Sequence, residues 1–166
     1  MGALILFATL CIFDLAVRAW RSAARASTQG LAAALGLTLL LLGCVIGIAI
    51  VEVGERQLSA GLSPEIYGDS GVLKFPHGLP LHGIQLFHAQ AILLTWLGSR
   101  RPRLSLWAAA TAVLLATVYG ASQTWLGGPR FPPLPQTLPW VLATAAATIL
   151  ALVAALPRVE DRSLTR

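Results

Sequence analysis

Apolar residues fall into five long runs, at 2–20, 31–51, 80–97, 105–125 and 138–156, and most charged residues lie in the segments between them. A helix rises about 1.5 Å per residue, so about 20 residues cross the ~30 Å of hydrocarbon in a bilayer. Each run is close to that length. None alternates apolar and polar positions as a barrel strand must: LAAALGLTLLLLGCVIGIAIV at 31–51 is apolar on every side. Lipid leaves backbone groups no partner except each other, so the pattern predicts five transmembrane helices. The expected architecture is an all-α membrane bundle, one domain over 1–157 with a short tail at 158–166.

Composition agrees with this reading. Hydrophobic residues make up 56% of the 166 and charged residues 11%, against about a quarter charged in a soluble domain. The net charge of +5 does not point to nucleic acid, because the arginines form short clusters between apolar runs, without stacking aromatics. They orient the chain instead. Arg18, Arg21 and Arg25 fill the first connection and Arg100, Arg101 and Arg103 the third. The second carries Glu52, Glu55, Arg56, Glu65, Asp69 and Lys74, and the fourth only Arg130. The positive-inside rule then puts the arginine-rich connections and the C-terminus in the cytoplasm and the N-terminus outside. Trp20, Trp96 and Trp107 fall at the inner ends of their spans, and Trp125 and Trp140 at outer ends, as an interfacial belt requires.

Other features add less. The start, MGALILFATLCIFDLAVRAWRSA, offers only weak versions of a signal peptide's basic region and cleavage site, so the first run is expected to be a retained span. Cys11 and Cys44 sit inside apolar runs and suggest buried thiols, not a disulfide or metal pattern. Asp14 is the one acid within a span, and Arg18 at i+4 supplies a local ion pair. Gly43 and Gly47 form a GxxxG pair, with Gly36 one heptad earlier. Such a groove admits another helix backbone, either from within the chain or from a second copy in a homodimer. TAAAT at 144–148 is similarly suited to close packing.

One stretch carries candidate chemistry. HGLPLHGIQLFHAQ at 77–90 holds all three histidines. With a helix starting at Pro80, His77 and His82 are expected at the outer interface, and His88 about 12 Å deeper. His82, Gln85 and His88 follow one another at i, i+3, i+6 on one side of that helix. Unpaired polar groups are costly in hydrocarbon, so this side is expected to point into the bundle. Glu52 and Glu55 from the second run, and Tyr119 and Gln123 from the fourth, are expected to converge on it.

Four readings of this wedge stay open. It is a hydrogen-bond network fixing helix register, or a divalent-metal site on His77, His82, Glu52 and Glu55. It is a haem site through His82 or His88, for which no other span offers a second histidine. Or it binds a quinone or lipid headgroup through His82 and Gln85, with His88 and Gln123 nearby.

The run GDSGVLKFPHGLPLHGIQ resembles a segment of an uncharacterised family of bacterial polytopic membrane proteins, in which Gly-Asp and a linker precede H-x4-H-x2-Q and a span. Gly68, Asp69, His77, His82 and Gln85 match that pattern, as do Gln123, Gly128 and the Arg-Phe-Pro run at 130–132. The resemblance implies a helical protein of the bacterial inner membrane and brings no activity. Family members carry an additional N-terminal span, and Pro80 replaces their small or apolar residue.

No nucleophile–base pair, phosphate loop or standard metal spacing occurs, which argues against an enzyme. The expected role is a non-catalytic structural or accessory subunit of a membrane complex. The alternative is a cofactor or metal binder centred on the third span.

Overall fold

The computed structural model describes residues 2–62, 74–125 and 133–157, which are helical almost throughout, with no strand among them. In chain order the elements are α1 (Gly2–Arg21), a short 3-10 turn (Ala23–Ala26), α2 (Thr28–Ser59), α3 (Lys74–Leu81), α4 (Gly83–Trp96), α5 (Pro102–Trp125) and α6 (Leu134–Ala155). Four of them, α1, α2, α5 and α6, are long and apolar enough to cross a membrane. Glu65, Gly68, Asp69, Gly128, the Arg-Phe-Pro run at 130–132, the Trp125 side chain and the tail at 158–166 lie outside the described residues.

The third apolar run departs from expectation. It forms two helices, with α3 beginning two turns before Pro80 and α4 taking over after His82. Pro80 has no N–H to give the carbonyl one turn earlier, and its ring crowds that carbonyl. The helix breaks two residues later. The two pieces run antiparallel along α2, where the glycine faces meet them in order: Gly47 under His77, Gly43 under Leu81 and Gly36 under Ile84.

The second connection also differs. Helix α2 was expected to end at Val51 but continues to Ser59, a length of about 48 Å for its 32 residues. Glu52, Glu55 and Arg56 therefore stand on a helical extension, and Glu52 pairs with Arg56 at 2.5 Å. Gly61 stops the helix at a φ of 72°. The Leu62 N–H reaches back to the Gln57 carbonyl and the Gly61 N–H to that of Leu58, the double bond that follows a left-handed residue. Gly98, at a φ of 61°, ends α4 in the same way, with Ser99 bonded to Leu94 and Gly98 to Thr95.

Helices α2, α3–α4 and α5 pack on one another, α1 lies on α2, and α6 lies on α5. The core is Leu31, Leu35 and Leu39 of α2, Phe87, Ala91 and Leu94 of α4, and Leu106 and Ala110 of α5. At the arginine-rich end, Trp20 stands 6.0 Å from Trp107 and donates to Thr38 Oγ1 at 2.9 Å. Arg103 donates to the Ala26 carbonyl there, tying α5 to the turn after α1. Tyr119 and Trp140 meet at the opposite end, 5.7 Å apart. Asp14 and Arg18 form their local pair at 2.7 Å. Leu4, Phe7 and Leu10 of α1 and Ile149, Leu152 and Val153 of α6 lie exposed, surfaces compatible with lipid contact.

Candidate functional site

Hydroxyls in these helices satisfy themselves. Thr38, Thr95, Thr111, Thr117, Thr124 and Thr148 each donate to the carbonyl one turn earlier, so each can sit in an apolar helix without a tertiary partner. An imidazole or a primary amide has no such local solution. The positions of the histidines and glutamines are therefore informative.

His77 is the one histidine turned into the bundle. It is half-buried, with Nδ1 2.7 Å from the Gly43 carbonyl, and since a carbonyl only accepts, Nδ1–H is the donor. Its ring fills the space above Gly47, where an added Cβ would come within 2.7 Å of Cε1. The GxxxG groove is thus occupied within the chain, by His77 and Leu81 of α3. The face offered by Gly43 and Gly47 to a homodimer is the face that α3 covers.

His82, Gln85 and His88 do share one side of α4, but that side does not point inward. All three are exposed, and none has a hydrogen-bond partner among the described residues. The inward face of α4 belongs to Gly83, Phe87, Ala91 and Leu94, which pack on α2 and α5. The break at His82 separates the bearing of α4 from that of α3, so His77 and His88 no longer fall on one side.

His82 follows Leu81, which lies on Gly43, so it sits level with the middle of the apolar stretch of α2. His88 is about 9 Å further toward the arginine-rich end. The metal set is not brought together, and no cluster of three His, Cys, Asp or Glu occurs among the described residues. Glu52 lies nine residues beyond Gly43, about 13 Å along α2 from the level of His82, and is engaged with Arg56. Glu55 is exposed one turn further out, and Gln123, half-buried near the end of α5, makes no hydrogen bond to the α4 residues. Beside it the Tyr119 hydroxyl is buried without a hydrogen-bond partner among the described residues.

A different polar group links three helices. Gln90 of α4 donates through Nε2 to Ser105 Oγ at 3.1 Å, and Ser105 Oγ donates to the Ala151 carbonyl of α6 at 2.7 Å. Ser105 is fully buried. The pair floors a cleft of about 470 Å³ between α4, α5 and α6, with Leu86, Leu93, Ala109, Val113 and Leu152 among its walls. The signal for it in the sequence is Gln90 itself, since an amide in an apolar run calls for an interhelical bond.

No protein-family model, curated protein or solved structure matches this chain.

Proposed function

We propose that the chain is a non-catalytic, five-span subunit of a bacterial inner-membrane complex, and that the outward side of α4 is where another membrane protein seats. One observation carries the reading: His82, Gln85 and His88 are exposed at mid-depth of an apolar bundle and have no hydrogen-bond partner among the described residues. Polar groups left in hydrocarbon are costly and normally face protein. All three side chains can both donate and accept, so a facing helix with hydroxyl, amide or carboxylate groups satisfies them. Counting α3 and α4 together as one broken span gives the fifth crossing. It also puts the arginine-rich connections on the cytoplasmic side and the N-terminus outside.

The test is the mass of the complex extracted from its native membrane in mild detergent. Wild type is expected to run well above a single 17.5 kDa chain in its micelle. His82→Leu/Gln85→Leu/His88→Leu is expected to insert normally and run alone. A monomeric wild type, or an unchanged complex in the triple variant, overturns the reading.

The exposed imidazoles of His82 and His88 favour one second reading, axial ligation of a haem shared with the partner. The complex would then show a Soret band that His88→Gln or His82→Gln abolishes. A colourless complex eliminates it.

Orientation has its own test. Alkaline phosphatase, active only outside the cytoplasm, is expected to work when inserted between 52 and 74 and to be silent after Arg101 or Leu156. Activity after Arg101 reverses the topology.

A further inference from the structure

We propose that the cleft between α4, α5 and α6 holds one acyl chain of an anionic phospholipid, whose headgroup is bound by Arg100 and Arg101. The cleft has a buried floor of Leu94, Ser105, Ala112 and Ala151 and an exposed rim that includes Ala89 and Leu152, so it opens sideways toward the bilayer. Its lining spans about eight residues of α4 and of α5, a length of about 12 Å. Its volume of about 470 Å³ lies within the range of small-molecule sites. The shape suits a flexible chain entering from the side.

The headgroup end is set by the connection between α4 and α5. Ala155 lines the cleft, and the carbonyl of the next residue, Leu156, accepts from the Arg100 N–H at 3.3 Å. Ser99 Oγ donates to the Ala154 carbonyl at 2.8 Å. These bonds, and that from the Ser105 N–H to the Arg101 carbonyl, fix the backbone of Arg100 and Arg101 at the arginine-rich end of the cleft, one turn before Ser105. Both arginines are exposed and form no ion pair among the described residues. Arg103 is turned away toward Ala26. An apolar trough that ends at a connection carrying two exposed arginines complements a lipid with a negative headgroup, since guanidinium recognises phosphate through paired N–H donors. A neutral zwitterionic lipid gains the trough and little from the arginines.

Native mass spectrometry of the full chain in detergent tests this, using phosphatidylglycerol, phosphatidylcholine of identical acyl chains, and soluble glycerol phosphate. Phosphatidylglycerol is expected to bind at least about tenfold more tightly than phosphatidylcholine. Arg100→Gln/Arg101→Gln is expected to remove that preference, and Arg100→Lys/Arg101→Lys to keep most of it. Ala89→Phe, a change at an exposed rim position, is expected to block the trough and weaken both lipids. Glycerol phosphate alone is expected not to bind. Equal binding of the two lipids by wild type, or full binding by Ala89→Phe, shows only annular lipid and overturns the proposal. Tight binding of glycerol phosphate overturns the role of the trough.

Discussion

Gly36→Ala is expected to destabilise the folded chain, and the same change at Gly47 to cost less, although both glycines line one groove. Alanine in a helix interior gains about 1 kcal/mol over glycine wherever there is room for its methyl group. Room is what differs. At Gly36 a Cβ would stand 2.7 Å from the Ile84 Cα and 3.3 Å from the Gly83 carbonyl oxygen, so α4 itself must move. The facing glycine lets α2 and α4 approach closely here: a Cβ on Gly83 would likewise meet the Leu39 Cβ at 2.9 Å. At Gly47 the obstacle is the Cε1–Nδ1 edge of the His77 ring, a side chain that can give way where backbone cannot, though only by straining its bond to the Gly43 carbonyl. Gly43 is intermediate, facing the Leu81 side chain at 2.9 Å and the Leu81 backbone nitrogen at 3.2 Å. Overpacking against backbone typically costs about 1–3 kcal/mol, enough at Gly36 to exceed the propensity gain. Reversible unfolding in mixed detergent micelles, read by circular dichroism, should rank the losses Gly36, then Gly43, then Gly47. A larger loss at Gly47 than at Gly36 would show that α4 does not seat on α2 at this point.

How much of this arrangement was legible depends on what the bilayer leaves visible in a sequence. The apolar runs and their helical state were readable, because hydrocarbon permits few backbone solutions. Gly36, Gly43 and Gly47 marked a groove correctly, since a missing side chain means the same thing in any solvent. Which helix fills the groove was not readable. The direction of a helix face was also hidden: Phe87 and Ile92 are equally apolar, yet one is core and the other faces outward. In water that contrast would appear as polar residues on the outer face. In lipid both faces are greasy, and polarity marks places where protein is required. The expectation that His82, Gln85 and His88 face inward followed from this rule applied to a single chain. Their outward position is what the same rule produces when the protein that covers them is another subunit. Pro80 was read as a helix start, because a first-turn proline is favourable, and the two turns preceding it are what seat His77 on the Gly43–Gly47 groove.

Phe87→Ala should cost the isolated chain about 2 kcal/mol, and Ile92→Ala less than about 0.5, although the two residues lie five apart on one helix. Phe87 is fully enclosed by α2 and α5, whereas Ile92 is 60% exposed. The loss at Phe87 falls below the roughly 3–5 kcal/mol of a soluble core, because the unfolded helix keeps its side chain in an apolar medium. What remains is the cavity and its missing dispersion contacts. Unfolding free energies in mixed micelles provide the comparison, and equal losses would mean that Phe87 is not at a packed interface. The pair becomes more informative in the assembled complex. Ile92 lies one heptad from Gln85, on the side proposed to seat a partner, so Ile92→Ala should acquire a cost there that it lacks in the isolated chain. Phe87→Ala should cost the same in both states. If Ile92→Ala stays silent after assembly, the partner does not reach this face, and the polar side chains of α4 need a different explanation.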